Sequence, residues 1–170
     1  YSLFLTPTES VLSLNASHPC VSPATCAQSK ASQDSHPNQL SVVRMKLIGA
    51  NRAPRAEGFQ QLPGTSNYFI GNDPKRWRTG VPNFARVRFG SVYPGVDLIY
   101  YGNQRQLEYD FIVKPGADPA NIKLGFTGVK HVQIDSQGDL LLQVNGREVS
   151  WRKPVVYQEV DGHRDTIAAH

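Results

Sequence analysis

The fold is decided by residues Asn67–Gly116, which read NYFIGNDPKRWRTGVPNFARVRFGSVYPGVDLIYYGNQRQLEYDFIVKPG and hold five of the seven tyrosines. Within this stretch, Phe84–Phe89 alternates apolar and basic side chains. Two further alternating segments, Val96–Tyr101 and Gln106–Val113, flank the polar residues 102–105. Alternation with a period of two is typical of half-buried strands, and a short polar link between two of them is typical of a hairpin. The stretch therefore predicts consecutive antiparallel strands.

The hairpin at the end of this stretch allows a prediction of register. We place a two-residue loop at Asn103-Gln104, so that Leu98 faces Tyr109 on an apolar side of the sheet. On the opposite side, Asp97 then faces Asp110. Two carboxylates directly across a strand pair repel each other, and a cation is therefore expected beside them.

Basic residues on the preceding strand are the expected partners of these acids. Five side chains form the candidate site: Arg86, Arg88, Asp97, Glu108 and Asp110. We favour an arginine–carboxylate ladder, because arginines one strand away from opposing acids are what such a ladder requires. A calcium site is one alternative, since hard oxygen donors suit Ca²⁺. A pair of catalytic carboxylates of the glycosidase kind is the other.

The rest of the chain also follows a β pattern. Leu40–Ile48 alternates, and residues 1–14 predict an N-terminal hairpin. Asn145-Gly146 and Asp161-Gly162 are strong two-residue hairpin signals. No segment of helical length carries a 3.6-residue period. We predict one all-β domain over residues 1–170, an antiparallel β-sandwich or twisted meander of about nine to eleven strands with little or no helix.

Two segments lack this pattern. Asn51–Gln61 reads as a polar connection around Pro54. Residues 15–39 are rich in Ser and Pro and read as a long exposed insertion. This insertion holds Cys20 and Cys26, the two cysteines of the chain. A short-loop disulfide is favoured over two thiols or a metal site, and it would indicate an oxidising compartment.

Composition and motifs exclude several classes of protein. The net charge is +4, but basic residues are spread along the chain without a basic run, so no nucleic-acid partner is expected. No apolar segment is long enough to span a membrane. The sequence contains no nucleophile elbow, zinc-protease motif or phosphate-binding loop, so no catalytic residue and no cofactor are assigned.

Both tryptophans have basic neighbours. Trp77 lies in Lys75–Arg78, and Trp151 precedes Arg152 and Lys153. An exposed Trp beside Arg can stack on a sugar ring or a base. The alternative, which we favour, is a Trp packed at the edge of the core under arginine stems.

Long segments of the chain resemble a known family. The run from Ser66 to Phe126, together with GDLLLQ, KPVVYQEVDG and the opening YSLFLTPTESVLSL, is similar to an uncharacterised domain of secreted bacterial proteins. In that family the domain lies N-terminal to SBBP-type β-propeller repeats. The resemblance implies an all-β module at an extracellular or cell-surface address and implies no activity. It also leads us to expect a further strand pair after His170, without which a sheet edge would stay open.

These observations lead to three expectations of function. The first is a non-enzymatic extracellular module for adhesion or display beside a β-propeller. The second is a structural subunit that assembles into a fibre or surface layer by pairing sheet edges with copies of itself or other chains. The third is a module that binds surface glycans through Trp77 or Trp151.

Overall fold

A computed structural model describes residues 2–14, 41–103 and 106–167. The described residues form thirteen strands: β1 (Ser2–Leu5), β2 (Glu9–Leu14), β3 (Ser41–Leu47), β4 (Arg55–Tyr68), β5 (Arg78–Tyr93), β6 (Val96–Asn103), β7 (Gln106–Val113), β8 (Leu124–Thr127), β9 (His131–Ile134), β10 (Leu140–Val144), β11 (Arg147–Trp151), β12 (Tyr157–Val160) and β13 (His163–Thr166). Short 3-10 turns cover Pro74–Arg76 and Pro119–Asn121. The predicted all-β class is confirmed, with more strands than expected.

The strands lie in four sheets. Their orders are β1-β2-β3-β8, β4-β5-β6-β7, β11-β10-β9 and β12-β13. Strands β4 to β7 form an antiparallel meander, because each pairs with the strand that follows it in the chain. The predicted N-terminal hairpin is confirmed by the adjacent strands β1 and β2, whose turn is closed by a hydrogen bond from the Thr6 amide to the Glu9 carbonyl at 2.9 Å.

Internal contacts divide the chain into two compact units. The first comprises residues 1–3, 11–44 and 126–170, and the second comprises residues 4–10 and 45–125, each taken over its described part. The prediction of one domain over residues 1–170 does not distinguish these units. The predicted insertion at residues 15–39, with Cys20 and Cys26, lies outside the described residues.

The first unit has a small aliphatic core. Val43, Leu142 and Val144 are at most 2% exposed. The partly buried side chains packed around them are Leu12, Leu14, Phe126, Val129, Leu140, Val149 and Trp151. The hairpin of β10 and β11 turns at Asn145-Gly146, and both residues have positive φ, as the sequence predicts for this turn type.

The second unit is built around β3, β5 and β6. Its buried apolar side chains are Met45, Leu47, Phe89, Val92, Tyr93, Val96, Leu98 and Tyr100. The rings of Phe89 and Tyr100 meet edge to face at 6.1 Å across the β5–β6 pair. Alternate residues of β6 therefore face this core, which leaves Asp97 on the opposite side of the strand.

The register of β6 against β7 differs from our prediction by two residues. Leu98 pairs with Phe111, and Asp97 pairs with Ile112 rather than with Asp110. A shift of two preserves which side chains share a face, so the apolar face is as predicted. The prediction that Asp97 faces Asp110 was therefore wrong. The apolar alternation spans all of β7, so it fits the predicted register and the observed one equally well.

The polar connection predicted over Asn51–Gln61 was also wrong. Most of this segment belongs to β4, a strand of fourteen residues that pairs with β5. Most of β4 is exposed on both of its faces, including every residue from Gln60 to Thr65. A strand without a buried face needs no apolar alternation, and for that reason its sequence resembles a loop.

Candidate functional site

The hairpin of β4 and β5 extends beyond the other strands of its sheet. The two strands pair from Arg55 opposite Gly90 to Tyr68 opposite Arg78. Strand β6 pairs with β5 from Arg86 inward, and no other described strand continues the sheet beyond that point. We call residues 61–84 the arm and residues 68–78 its tip. Seven residues of β5 at about 3.4 Å each give the arm a length of roughly 24 Å.

The arm leaves the sheet at a tightly packed point. A Cβ atom on Gly58 would overlap the ring of Phe84, so only glycine fits at this position without displacing the ring. Farther out, Pro63 and Gly64 lie in a break of register between Gln61 and Thr65. Such irregularities, together with proline, keep an exposed strand from pairing along its length with another chain.

Side-chain hydrogen bonds hold the two strands of the arm together beyond this break. The Asn67 side-chain oxygen accepts a hydrogen bond from the Gly80 amide at 2.8 Å. The Ser66 hydroxyl donates to the Asn83 side-chain oxygen at 2.8 Å. Asn67 lies in the second shift of register, between Ser66 and Tyr68, and both bonds join the two strands close to the tip.

The tip is folded by its own contacts. Asp73 caps the 3-10 turn by accepting a hydrogen bond from the Lys75 amide at 3.0 Å. The indole nitrogen of Trp77 donates to the Gly71 carbonyl at 3.1 Å, and its ring meets the Phe69 ring edge to face at 5.2 Å. These contacts join the residues that follow β4 to the residue that precedes β5.

The surface of the tip combines apolar and basic side chains. Phe69 and Ile70 are 62% and 66% exposed, and Trp77 is 37% exposed. The basic residues of the tip are Lys75, Arg76 and Arg78, against the single acid Asp73. Large apolar side chains are seldom grouped in water unless the group contacts a partner. The tip is therefore the candidate functional site.

The predicted arginine–carboxylate site has a different character. Asp97 is 2% exposed. Its carboxylate accepts hydrogen bonds from the Arg88 guanidinium at 2.5 Å and from the Ser91 amide at 2.7 Å, and the Lys114 ammonium lies at 3.6 Å. Burial acts to raise the pKa of Asp97, but the bonds from Ser91 and Arg88 and the two positive charges outweigh it and hold that pKa below its usual value.

The Ser91 amide reaches Asp97 because β5 is irregular at this position. The β5–β6 register shifts between Phe89 and Tyr93, and Ser91 has a φ of +55°. The Asn51 side chain donates to the Ser91 carbonyl at 3.2 Å from the other side. The Asp97 carboxylate therefore binds the backbone at a β-bulge of β5.

The remaining members of the predicted site are arranged around Tyr101. The Arg86 guanidinium lies over the Tyr101 ring at 4.8 Å, and the Tyr101 hydroxyl is 3.2 Å from each oxygen of Asp110. Burial, and then the charges and hydrogen bonds of Asp110 and Glu108, raise the pKa of Tyr101 to about 12. The structure thus joins Arg88 to Asp97 and places Tyr101 between Arg86 and Asp110. In the described ranges, no three His, Cys, Asp or Glu side chains are grouped as a metal site would require.

The two tryptophans occupy different environments. Trp151 packs against the core of the first unit, with its ring edge to face with Phe126 at 5.4 Å. Trp77 lies in the tip, where part of its ring reaches the surface. The basic neighbours of Trp77 mark it in the sequence, whereas Phe69 and Ile70 were not predicted as site residues. Three consecutive apolar residues before a Gly-Asn-Asp-Pro turn were a usable signal for them.

The described residues contain no helix long and apolar enough to cross a membrane. Comparison with curated proteins and with solved structures gives no match. A protein-family model described as "Domain of unknown function (DUF7948)" matches residues 1–170. The chain therefore belongs to the DUF7948 family, an uncharacterised domain family, over its whole length.

Proposed function

We propose that this domain is a non-enzymatic attachment module whose arm carries the contact surface. The observation that supports the proposal most strongly is the folded tip, which presents Phe69 and Ile70 to solvent at the end of a two-stranded hairpin. Burying two large apolar side chains in a partner is favourable, and leaving them in water is not. The prefolded tip loses little conformational entropy on binding.

The setting we propose for this module is extracellular or at the cell surface, in adhesion or display. The resemblance of the sequence to domains that precede SBBP-type propeller repeats supports this setting. A disulfide between Cys20 and Cys26 would agree with it. In such an arrangement the arm makes the contact while the propeller occupies another part of the same protein.

Adsorption to a panel of surfaces tests the attachment function. The panel comprises lipid bilayers, immobilised polysaccharides and protein-coated sensors, each read by a quartz microbalance. The chain is compared with the tip variant Phe69→Ser/Ile70→Ser. A matched control is Val155→Ser/Val160→Ser, which removes two apolar side chains that are 75% and 49% exposed elsewhere. We expect at least one surface to retain the chain and the control variant but not the tip variant. Equal retention of all three chains would contradict the proposal.

The polysaccharide sensors also test the glycan-binding alternative. Trp77 is the tryptophan with an exposed ring in the tip, whereas Trp151 packs against a core. A sugar platform would require stacking on the Trp77 ring. Retention on polysaccharide that is lost in Trp77→Ala and kept in the tip variant would favour this alternative over apolar attachment.

Assembly through sheet edges is the second candidate function, and strand β7 favours it. Strand β7 pairs with β6 in one uninterrupted register over eight residues and contains neither Pro nor Gly. On the opposite side of the same sheet, β4 is interrupted by Pro63 and by shifts of register. Regular edges are the ones to which a further strand is added. Sedimentation velocity over a range of concentrations tests this candidate, because a monomer at every concentration would contradict it.

A further inference from the structure

We propose that the surface contacted by the tip is an anionic phospholipid bilayer, with Phe69 and Ile70 entering the interface and the basic residues of the tip contacting headgroups. The inference rests on the proposed attachment function and names the partner of the same site. It concerns binding at the membrane surface and involves no spanning segment.

The distribution of apolar surface around the tip favours a lipid partner. Tyr68, Phe69 and Ile70 are consecutive, and each exposes about half or more of its surface. Tyr68 ends strand β4, and Phe69 and Ile70 follow it in the segment that leads to the 3-10 turn, at the far end of the hairpin. Apolar side chains at the end of a projecting hairpin can enter a fluid interface without a preformed pocket. A protein partner would have to supply a pocket that matches their shape.

The types of residue in the tip match the layers of a membrane interface. Trp and Tyr prefer the headgroup level, and Phe and Ile prefer the hydrocarbon beneath it. Trp77 contacts Phe69 in the folded tip, and Tyr68 directly precedes Phe69 and Ile70 in the chain. Both kinds of side chain are therefore present at the end of the hairpin.

The charge of the tip favours an anionic bilayer over a neutral one. Lys75, Arg76 and Arg78 lie within four residues of one another, and Asp73 is the sole acid of the tip. The Asp73 carboxylate accepts the hydrogen bond that caps the 3-10 turn, so its position is fixed by the fold. Each Lys or Arg close to an anionic bilayer raises affinity about fivefold.

Vesicle flotation tests this inference directly. The chain is mixed with vesicles of pure phosphatidylcholine or with about 30% phosphatidylglycerol, an anionic content sufficient for a negative surface potential. We expect flotation with the anionic vesicles and a loss of at least about tenfold in affinity for Phe69→Ser/Ile70→Ser. Arg76→Glu is expected to weaken binding more than fivefold, because it removes one positive charge and adds a negative one. The control Val155→Ser/Val160→Ser should float like the unaltered chain.

Three outcomes would overturn the inference. The first is absence of flotation with anionic vesicles, and the second is equal flotation of the tip variant. The third is equal binding to neutral and anionic vesicles, because it would remove the role of the basic residues. Tip-dependent retention on polysaccharide or protein sensors without vesicle binding would overturn the lipid partner and leave the attachment function standing. If retention on every surface is the same with and without the tip side chains, both the lipid partner and the attachment function are overturned.

Lipid-attached quenchers locate the contact within the chain. Brominated phosphatidylcholine in the anionic vesicles quenches an indole that lies at the interface. We expect quenching of the tryptophan fluorescence of the chain and its loss in Trp77→Phe, which retains an apolar ring in the tip and leaves Trp151 as the remaining tryptophan. Undiminished quenching in Trp77→Phe would place the contact at Trp151 and contradict the inference.

Discussion

The rings of Phe69 and Trp77 meet edge to face at 5.2 Å and join the two sides of the β4–β5 hairpin at its end. The hydrogen bond from the Trp77 indole to the Gly71 carbonyl closes the same structure. A hairpin end of this length in water is normally mobile, because few contacts oppose its conformational entropy. The contact between Phe69 and Trp77 therefore holds the end of the hairpin in one conformation, in which Phe69 is exposed.

The two tryptophans are expected to respond differently to removal. Trp77→Ala removes the ring contact with Phe69 and the exposed hydrogen bond to the Gly71 carbonyl but leaves both cores intact, so the free energy of unfolding should fall by about 1 kcal/mol or less. Trp151→Ala removes a ring packed on the core of the first unit and should cost about 3 kcal/mol. Urea unfolding measures both values. Equal losses in the two variants would show that the tip is part of a core, against our account.

Removal of the Asp97 carboxylate should destabilise the second unit. Asp97→Ala leaves the Ser91 amide without its acceptor and Arg88 without its partner. We expect a loss of about 2 kcal/mol, because Arg88 is partly exposed and regains water. The control is Glu159→Ala, whose ion pair with Arg164 is solvent-exposed and should contribute less than about 0.5 kcal/mol. Both values are measured by denaturant unfolding. An equal loss of unfolding free energy in Asp97→Ala and in the control would contradict a stabilising role for the buried Asp97 carboxylate.

Alkaline pH should test the environment of Tyr101. Its pKa is raised to about 12 in the folded chain, chiefly by burial and then by Asp110 and Glu108. An unfolded tyrosine titrates near about 10. Folding therefore favours the neutral hydroxyl of Tyr101 over its ionised form. The contribution of Tyr101 to the free energy of unfolding is complete below about pH 10 and is lost as the pH rises towards 12.

The variant Tyr101→Phe isolates this effect from the other tyrosines. Tyr100 also has a pKa raised to about 12, mainly by burial, and it remains in the variant as an internal reference. We expect the melting temperature of the variant to fall less steeply with pH between about 10 and 12 than that of the unaltered chain. Identical slopes would contradict the assigned environment.

The base of the arm offers a steric test. Gly58→Ala places a Cβ atom in steric overlap with the ring of Phe84 and should cost about 1 kcal/mol or more. The matched control is Gly64→Ala, where the nearest atom to the added Cβ is the Asn83 side-chain nitrogen at 3.9 Å, an ordinary contact distance. Adding Phe84→Ala to Gly58→Ala should recover part of the loss. Failure of this rescue would show that another contact makes glycine necessary.

The sequence predicted the elements that have one buried face. Val96, Leu98 and Tyr100 alternate along β6, and all three are buried as expected. Along β3, the alternate residues Val43, Met45 and Leu47 are likewise buried. A buried face imposes a period of two on the sequence, and that period is what sequence analysis detects.

Other features of the fold leave no two-residue apolar period in the sequence. Strand β4 was not predicted because most of it is exposed on both faces. The hairpin register was misplaced by two residues because the apolar alternation of β7 repeats every two residues. Arg88 was correctly expected beside Asp97. The Ser91 amide could not be foreseen, because nothing in the alternation marks the bulge that points it at the carboxylate.

Amide hydrogen exchange on the surface-bound chain tests the central claim most directly. The chain is bound to the member of the panel that retains it best, and its exchange is compared with that of the chain in solution. Our account predicts added protection at residues 68–78 and little change in the other described strands. Protection at β7 or at β12 and β13, with the tip unchanged, would contradict the claim that the arm makes the contact.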